Sequence, residues 1–194
     1  MEYKDKEFIG DEIKGQEFVD CSFINCKFTE ANLRFTSFNK CTFTSCDLSQ
    51  VLFDLTSFVS CKFPESKLSN LDFSGTQIKD CDFTKTIMRG CVLQQYKTGS
   101  KNQKKKFDLT SATFTEADLS GAVFFFCELK GINFKSANLE NATFERCNLK
   151  EASFINANIS GTNFSDSKME NTKLDLDGFI TFGNSKGFIL EQVL

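Results

Sequence analysis

"CSFINCKF", residues 21–28, holds two cysteines five apart, each followed two residues later by a phenylalanine. A metal site, a disulfide framework and a redox pair all use spaced cysteines. The rest of the chain argues against all three. Its nine cysteines form no CxxC pair, and no histidine exists to complete a zinc site. The cysteine count is odd. The first ten residues, MEYKDKEFIG, are charged and carry no apolar signal segment. Reduced thiols in a cytoplasmic protein are the expectation.

The eight residues are instead two copies of a five-residue unit. Every fifth residue from Phe8 through Phe23 and Phe28 to Leu93 is apolar, 18 in succession. The pattern breaks, resumes one residue out of phase at Leu109, and runs for 15 more positions to Phe179. Of the 24 phenylalanines, 18 occupy this position, which we call the centre. The residue two before each centre, the slot, is usually small. All nine cysteines fall there: Cys21, Cys26, Cys41, Cys46, Cys61, Cys81, Cys91, Cys127 and Cys147. Alanine replaces cysteine over most of the second half, as at Ala112, Ala117, Ala122 and Ala137.

A period of five suits neither a helix nor a strand, whose periods are 3.6 and 2. It suits a chain that turns a corner every five residues, pointing one large and one small side chain inward. Residues 20 apart match better than residues five apart, with Cys21, Cys41, Cys61 and Cys81 forming one column and Thr36, Thr56 and Thr76 another. Four units per coil and a square cross-section explain both periods.

"ADLSG" (117–121), "ANLEN" (137–141) and "CNLKE" (147–151) resemble the A(D/N)LXX motif of the pentapeptide-repeat family. The resemblance covers roughly residues 6–179 and implies an all-β fold, a right-handed quadrilateral β-helix of about eight coils. Coils should stack at the strand spacing of ~4.8 Å, and such a solenoid needs capped ends. Residues 1–179 are expected to form the β-helix, interrupted at 94–106. Residues 180–194 are expected to form a capping or dimerisation segment. A short helix is expected around 177–185, then a turn at Gly187. The residues assigned to cap or dimer are Phe179, Phe182, Phe188, Ile189, Leu190, Val193 and Leu194.

The interruption, "QQYKTGSKNQKKK" (94–106), has five lysines and no acid. It reads as a polar loop on a rigid scaffold, a common place for function; a tolerated insertion is the alternative. Charge is −3 over residues 1–93 and −5 over 107–194. An acidic rod disfavours nucleic acid, which is bound through basic contacts to phosphates. It suits occupation of a basic DNA-binding groove on another protein. Phe35 and Leu55, 20 apart, should share one outer face, and Phe125 and Phe126 should lie under the loop.

The chain lacks histidine, a nucleophile elbow, a P-loop and a metal-ligand cluster, so neither catalysis nor a cofactor nor a metal is expected. No run of 18 apolar residues is present, so no membrane span is expected. Within the family, the chain resembles the Qnr quinolone-resistance proteins in length, in its mid-array loop and in its ending, "LDLDGF" (174–179) followed by an apolar segment. It departs from them in lacking a second, smaller loop. The resemblance implies a homodimer that binds DNA gyrase and topoisomerase IV. It would protect these enzymes from fluoroquinolones as a B-DNA mimic. The contacts would be Tyr96, Lys97, Lys101, Lys104, Lys105 and Lys106. The other reading is a protein–protein interaction scaffold without topoisomerase activity.

Overall fold

A computed structural model describes residues 1–94 and 106–191. Its strands are two or three residues long: β1 (Glu2–Lys4), β2 (Glu17–Val19), β3 (Ser22–Ile24), β4 (Ser37–Asn39), β5 (Thr42–Thr44), β6 (Ser57–Val59), β7 (Gln77–Lys79), β8 (Val92–Leu93), β9 (Phe107–Asp108), β10 (Val123–Phe125), β11 (Cys127–Glu128) and β12 (Thr143–Glu145). Every pairing between them is parallel. Away from the insertion, partners are 20 residues apart, as in Phe18↔Phe38 and Phe23↔Phe43. Four such ladders, begun by Tyr3, Phe8, Ile13 and Phe18, give the rod four faces.

The centres fill the rod. On the Tyr3 face eight rings stack in one column, from Tyr3 through Phe23 and Phe83 to Phe154. Their centroids lie 4.8–5.5 Å apart, so a coil rises by one strand spacing. Those eight rings span seven turns, and the bridge Ser153↔Lys173 carries the ladder one row further. Phenylalanines on adjacent faces meet edge to face, as Phe43 and Phe58 do at 6.2 Å and 75°. Such pairs contribute about 0.5–1.5 kcal/mol beyond the area they bury. The array begins one unit earlier than Phe8, at Tyr3. Phe179 is not a centre, because the chain has already turned into a helix there.

Corners are made by the residue two after each centre, held in the left-handed region from Asp5 (φ 52°) to Asn171 (φ 55°) at the described sites other than Gly75 and Ser111. Asp, Asn and Gly tolerate that region best, which explains their frequency there. Some corners are closed. Ala117 N–H donates to Phe114 O at 3.2 Å across a type II turn, and all eight slot alanines make the same bond. Others are open. Of the nine cysteines, only Cys91 makes that bond, at 3.4 Å. At the other eight the thiol reaches the carbonyl two residues back, as from Cys41 Sγ to Asn39 O at 3.5 Å.

Bridges across the insertion join residues 31 apart, as in Asp82↔Thr113 and Ile87↔Asp118. Eleven residues are therefore surplus to a 20-residue coil, which matches 95–105.

Candidate interaction surfaces

The nine cysteines are free and buried. Burial pushes the Cys46 and Cys91 thiols up to about 12. A thiol held protonated is neither a good nucleophile nor a metal ligand. Among the described residues, no group of three or more His, Cys, Asp or Glu side chains is placed to hold a metal. The cysteine slots are packing and hydrogen-bonding elements of the corners.

The root of the insertion is the first irregular surface. Tyr96, Lys97, Lys101, Lys104 and Lys105 lie outside the described residues. Lys106 is described. Its Nζ stands 5.5 Å from the Phe126 ring centroid and donates to Arg146 O at 3.2 Å. Arg146 lies over Phe125, 6.0 Å from that ring. The half-buried pair Phe125–Phe126 thus carries cations on its outer side. The 20-residue period places Arg146 one coil beyond Phe126, and the structure adds that its guanidinium lies over Phe125.

The ladder on the Phe18 face breaks at this root. Among the described residues, the Asp108 backbone N–H does not bond Thr76 O, the acceptor its ladder position calls for. Asp80 N–H turns to Ser111 Oγ at 2.8 Å instead. One row back, the Ile13 face is loosened: no bridge joins Leu52 to Asp72, and the half-buried Phe53 ring tilts 44° from Phe73. Thr36 and Thr56 donate to carbonyls 23 residues back at 2.8 and 2.7 Å. Among the described residues, the buried Thr76 hydroxyl, next in that column, finds no partner. A cleft of about 750 Å³ opens here, lined by Leu55, Thr76, Ile78, Asp80 and Lys106 among others.

The C-terminal end is the second irregular surface. Helix α1 (Leu176–Ser185) starts at Asp175, whose carboxylate accepts Gly178 N–H at 2.8 Å. The backbone N–H groups of Gly178 and Asn156 hold that carboxyl below the usual range. An Asp just before an apolar turn is an N-cap signature visible in the sequence. Phe182 packs edge to face on Phe164 at 5.8 Å and covers part of the last coil. Gly187 takes a left-handed turn (φ 84°). Phe179 (67%), Phe188 (70%), Ile189 (90%) and Leu190 (68%) are exposed, and Val193 and Leu194 lie outside the described residues. Between helix and rod runs an apolar groove of about 690 Å³, lined by Phe154, Ile159, Phe164, Met169, Leu174 and Phe179 among others. No helix of the described residues is long and apolar enough to cross a membrane.

Residues 16–97 match the family profile "Pentapeptide repeat region", and residues 108–141 and 127–166 match "Pentapeptide repeats (8 copies)". Together the matches cover more than half of the chain. No curated protein sequence matches it. Among solved structures, it resembles a trypsin-treated variant of QnrB1, described as a plasmid-mediated fluoroquinolone resistance protein, at 21% identity and a TM-score of 0.66, over 99% of each chain. It also matches HetL of the cyanobacterium Nostoc, a pentapeptide-repeat protein involved in heterocyst differentiation regulation. That match has 16% identity and a TM-score of 0.31, over 89% of this chain and 84% of the other. From its 20-residue parallel ladder, its filled core and the two family-profile matches, the chain belongs to the pentapeptide-repeat family.

Proposed function

We propose that this protein is a non-enzymatic, Qnr-like homodimer of the cytoplasm. It binds the type II topoisomerases DNA gyrase and topoisomerase IV and protects them from fluoroquinolones. Its acidic rod stands in for B-DNA in their basic groove. The observation that carries the reading is end-to-end correspondence with the QnrB1 rod over 99% of each chain. Two further features favour it. The rod outside the insertion is acidic on both sides, −3 and −5. The apolar groove at α1 leaves surface for an isologous contact with a second copy.

The test is a gyrase supercoiling assay with ciprofloxacin, with and without the protein. Rescue at intermediate dose is expected. No rescue across a wide concentration range, with no inhibition at high dose, removes the topoisomerase reading and leaves an interaction scaffold. Deleting 97–105 should abolish rescue, and full rescue by that variant takes the loop out of the mechanism. For the dimer, solution mass is measured with and without residues 180–194. A monomer in both cases refutes the interface.

A further inference from the structure

The two ends of the rod are closed differently. Helix α1 covers part of the last coil, with Phe182 against Phe164. Among the described residues, no helix lies at the first coil. Its cover is Lys6, whose Nζ stands 4.5 Å from the Phe8 ring centroid and pairs with Glu12 at 2.6 Å. The longest column of thiols begins at this end: Cys21, Cys41, Cys61 and Cys81, one per coil. These thiols hydrogen-bond to one another down the column. Cys21 is the least enclosed. It is 7% exposed, against 0–2% for the other eight cysteines. Met1, next outward in the column, is 79% exposed. Those other eight thiols each reach a carbonyl of the preceding coil, as Cys41 Sγ reaches Phe18 O at 3.4 Å. Among the described residues Cys21 reaches no such carbonyl, and its Sγ bonds Val19 O, two residues back, at 3.4 Å.

We propose that Cys21 and Cys41 form a reversible dithiol–disulfide site at the N-terminal end of the rod, oxidised by low-molecular-weight disulfides. Thr42 N–H donates to Cys21 O at 2.9 Å, so the two residues stand on adjacent coils. The Phe23 and Phe43 rings beside them stack at 4.8 Å. A Cα separation of one strand spacing, ~4.8 Å, lies within the range that a disulfide spans. The two side chains run parallel, so their Cβ atoms begin wider apart than the ~3.8 Å a relaxed bridge prefers. A bridge formed there is readily reduced, which suits a switch. Each thiol has one step. Cys21, the reachable one, loses its proton and attacks the small disulfide, releasing one small thiol and leaving a mixed disulfide. Cys41 then attacks Cys21 Sγ, closes the bridge and releases the second small thiol. Two protein thiols are oxidised and one small disulfide is reduced to two thiols. A hydrogen bond from the Cys61 thiol holds Cys41 below its ordinary value, which favours the attacking thiolate. Burial raises Cys21, so the first step is slow. The bridge pins the first coil to the second, a closure of this end that depends on redox state. The inference does not depend on the partner being a topoisomerase.

The experiment incubates the reduced full chain with glutathione disulfide under native conditions. Free thiols are then counted after unfolding, and mass is read without reductant. The count should fall from nine to seven in a monomer, and dithiothreitol should restore nine. Cys21→Ala should keep all of its thiols. Cys41→Ala should keep a glutathione adduct on Cys21. Cys26→Ala should still lose two thiols. Alanine and serine fill this slot elsewhere, as at Ala31 and Ser66. If Cys21→Ala folds poorly, Cys21→Ser carries the test. Four results overturn the proposal. They are nine surviving thiols, a loss that persists in Cys21→Ala, an adduct that stays on Cys21 of the parent, and a disulfide-linked dimer.

Discussion

The two halves of the rod solve one geometric problem in different ways. Residues 1–94 hold seven of the nine cysteines and most of the open corners, where the thiol reaches a carbonyl and no turn bond forms. Residues 106–191 hold seven of the eight slot alanines, each at a closed turn. Centres differ in step: Phe38, Phe43, Phe58 and Phe63 adjoin one another in the first half, whereas Phe and Leu alternate in the second. Every slot alanine sits at a corner whose backbone closes its own turn, whereas eight of the nine cysteines sit where that bond is absent and the thiol supplies a weak donor.

The largest expected effect is on the aromatic column. Phe63→Ala should destabilise by about 3–5 kcal/mol in denaturant unfolding, since Phe63 stacks on Phe43 and Phe83 and meets Phe58 edge to face. Phe124→Ala should fall at the lower end of that range, because its lower column neighbour is Leu93 rather than a ring. A larger loss at Phe124 than at Phe63 breaks the contrast.

Alkaline pH should come next. The Cys46 and Cys91 thiols, raised by burial, stabilise the fold fully below their ordinary value of 9.0. That contribution is lost as pH rises through their folded value of about 12. Between those limits the rows around Cys46 and Cys91 should loosen before the alanine-slot rows around Ala137 and Ala152. Hydrogen exchange along the chain measures the order, and the reverse order sinks the contrast. A smaller effect is expected at a single slot. Cys61→Ala should cost about 1 kcal/mol. Cys61→Ser should cost less, because a hydroxyl there can reach Phe38 O as Ser66 Oγ reaches Phe43 O at 2.7 Å. Equal costs in chemical denaturation mean that the slot measures volume alone.

The smallest effect is confined to the end of the rod. Asp175 is held below its usual range by the N–H groups of Gly178 and Asn156. Its contribution is present above the unfolded value of about 3.9 and is lost as pH falls through the lower folded value. The amides of α1 should then exchange faster in acid while the Phe43 row stays protected. Uniform loss of protection refutes a local cap.

Much of this was legible because a five-residue period is rigid. Once Phe23 and Phe28 are centres, Cys21 and Cys26 must lie inward, and the column at Cys41, Cys61 and Cys81 follows from the 20-residue coil. The helix was legible within one residue at its start, because Asp175 caps it. Phe179 was misplaced: it falls on the period, but Asp175 had already begun a helix by capturing Gly178 N–H. Tyr3 falls on the same period one unit before Phe8, and the structure shows it to be a centre by its stacking on Phe23 at 5.0 Å.

The sequence by itself determined the coil, the filled core and the site of the interruption, because each depends only on spacing along the chain. Only the tertiary structure decided which corners close, how Arg146 meets Phe125, and that Phe35, Leu55 and Phe126 share one edge beside a broken ladder. Those depend on contacts between residues 20 or 31 apart, and on hydrogen bonds that a periodic pattern implies but cannot show to be missing.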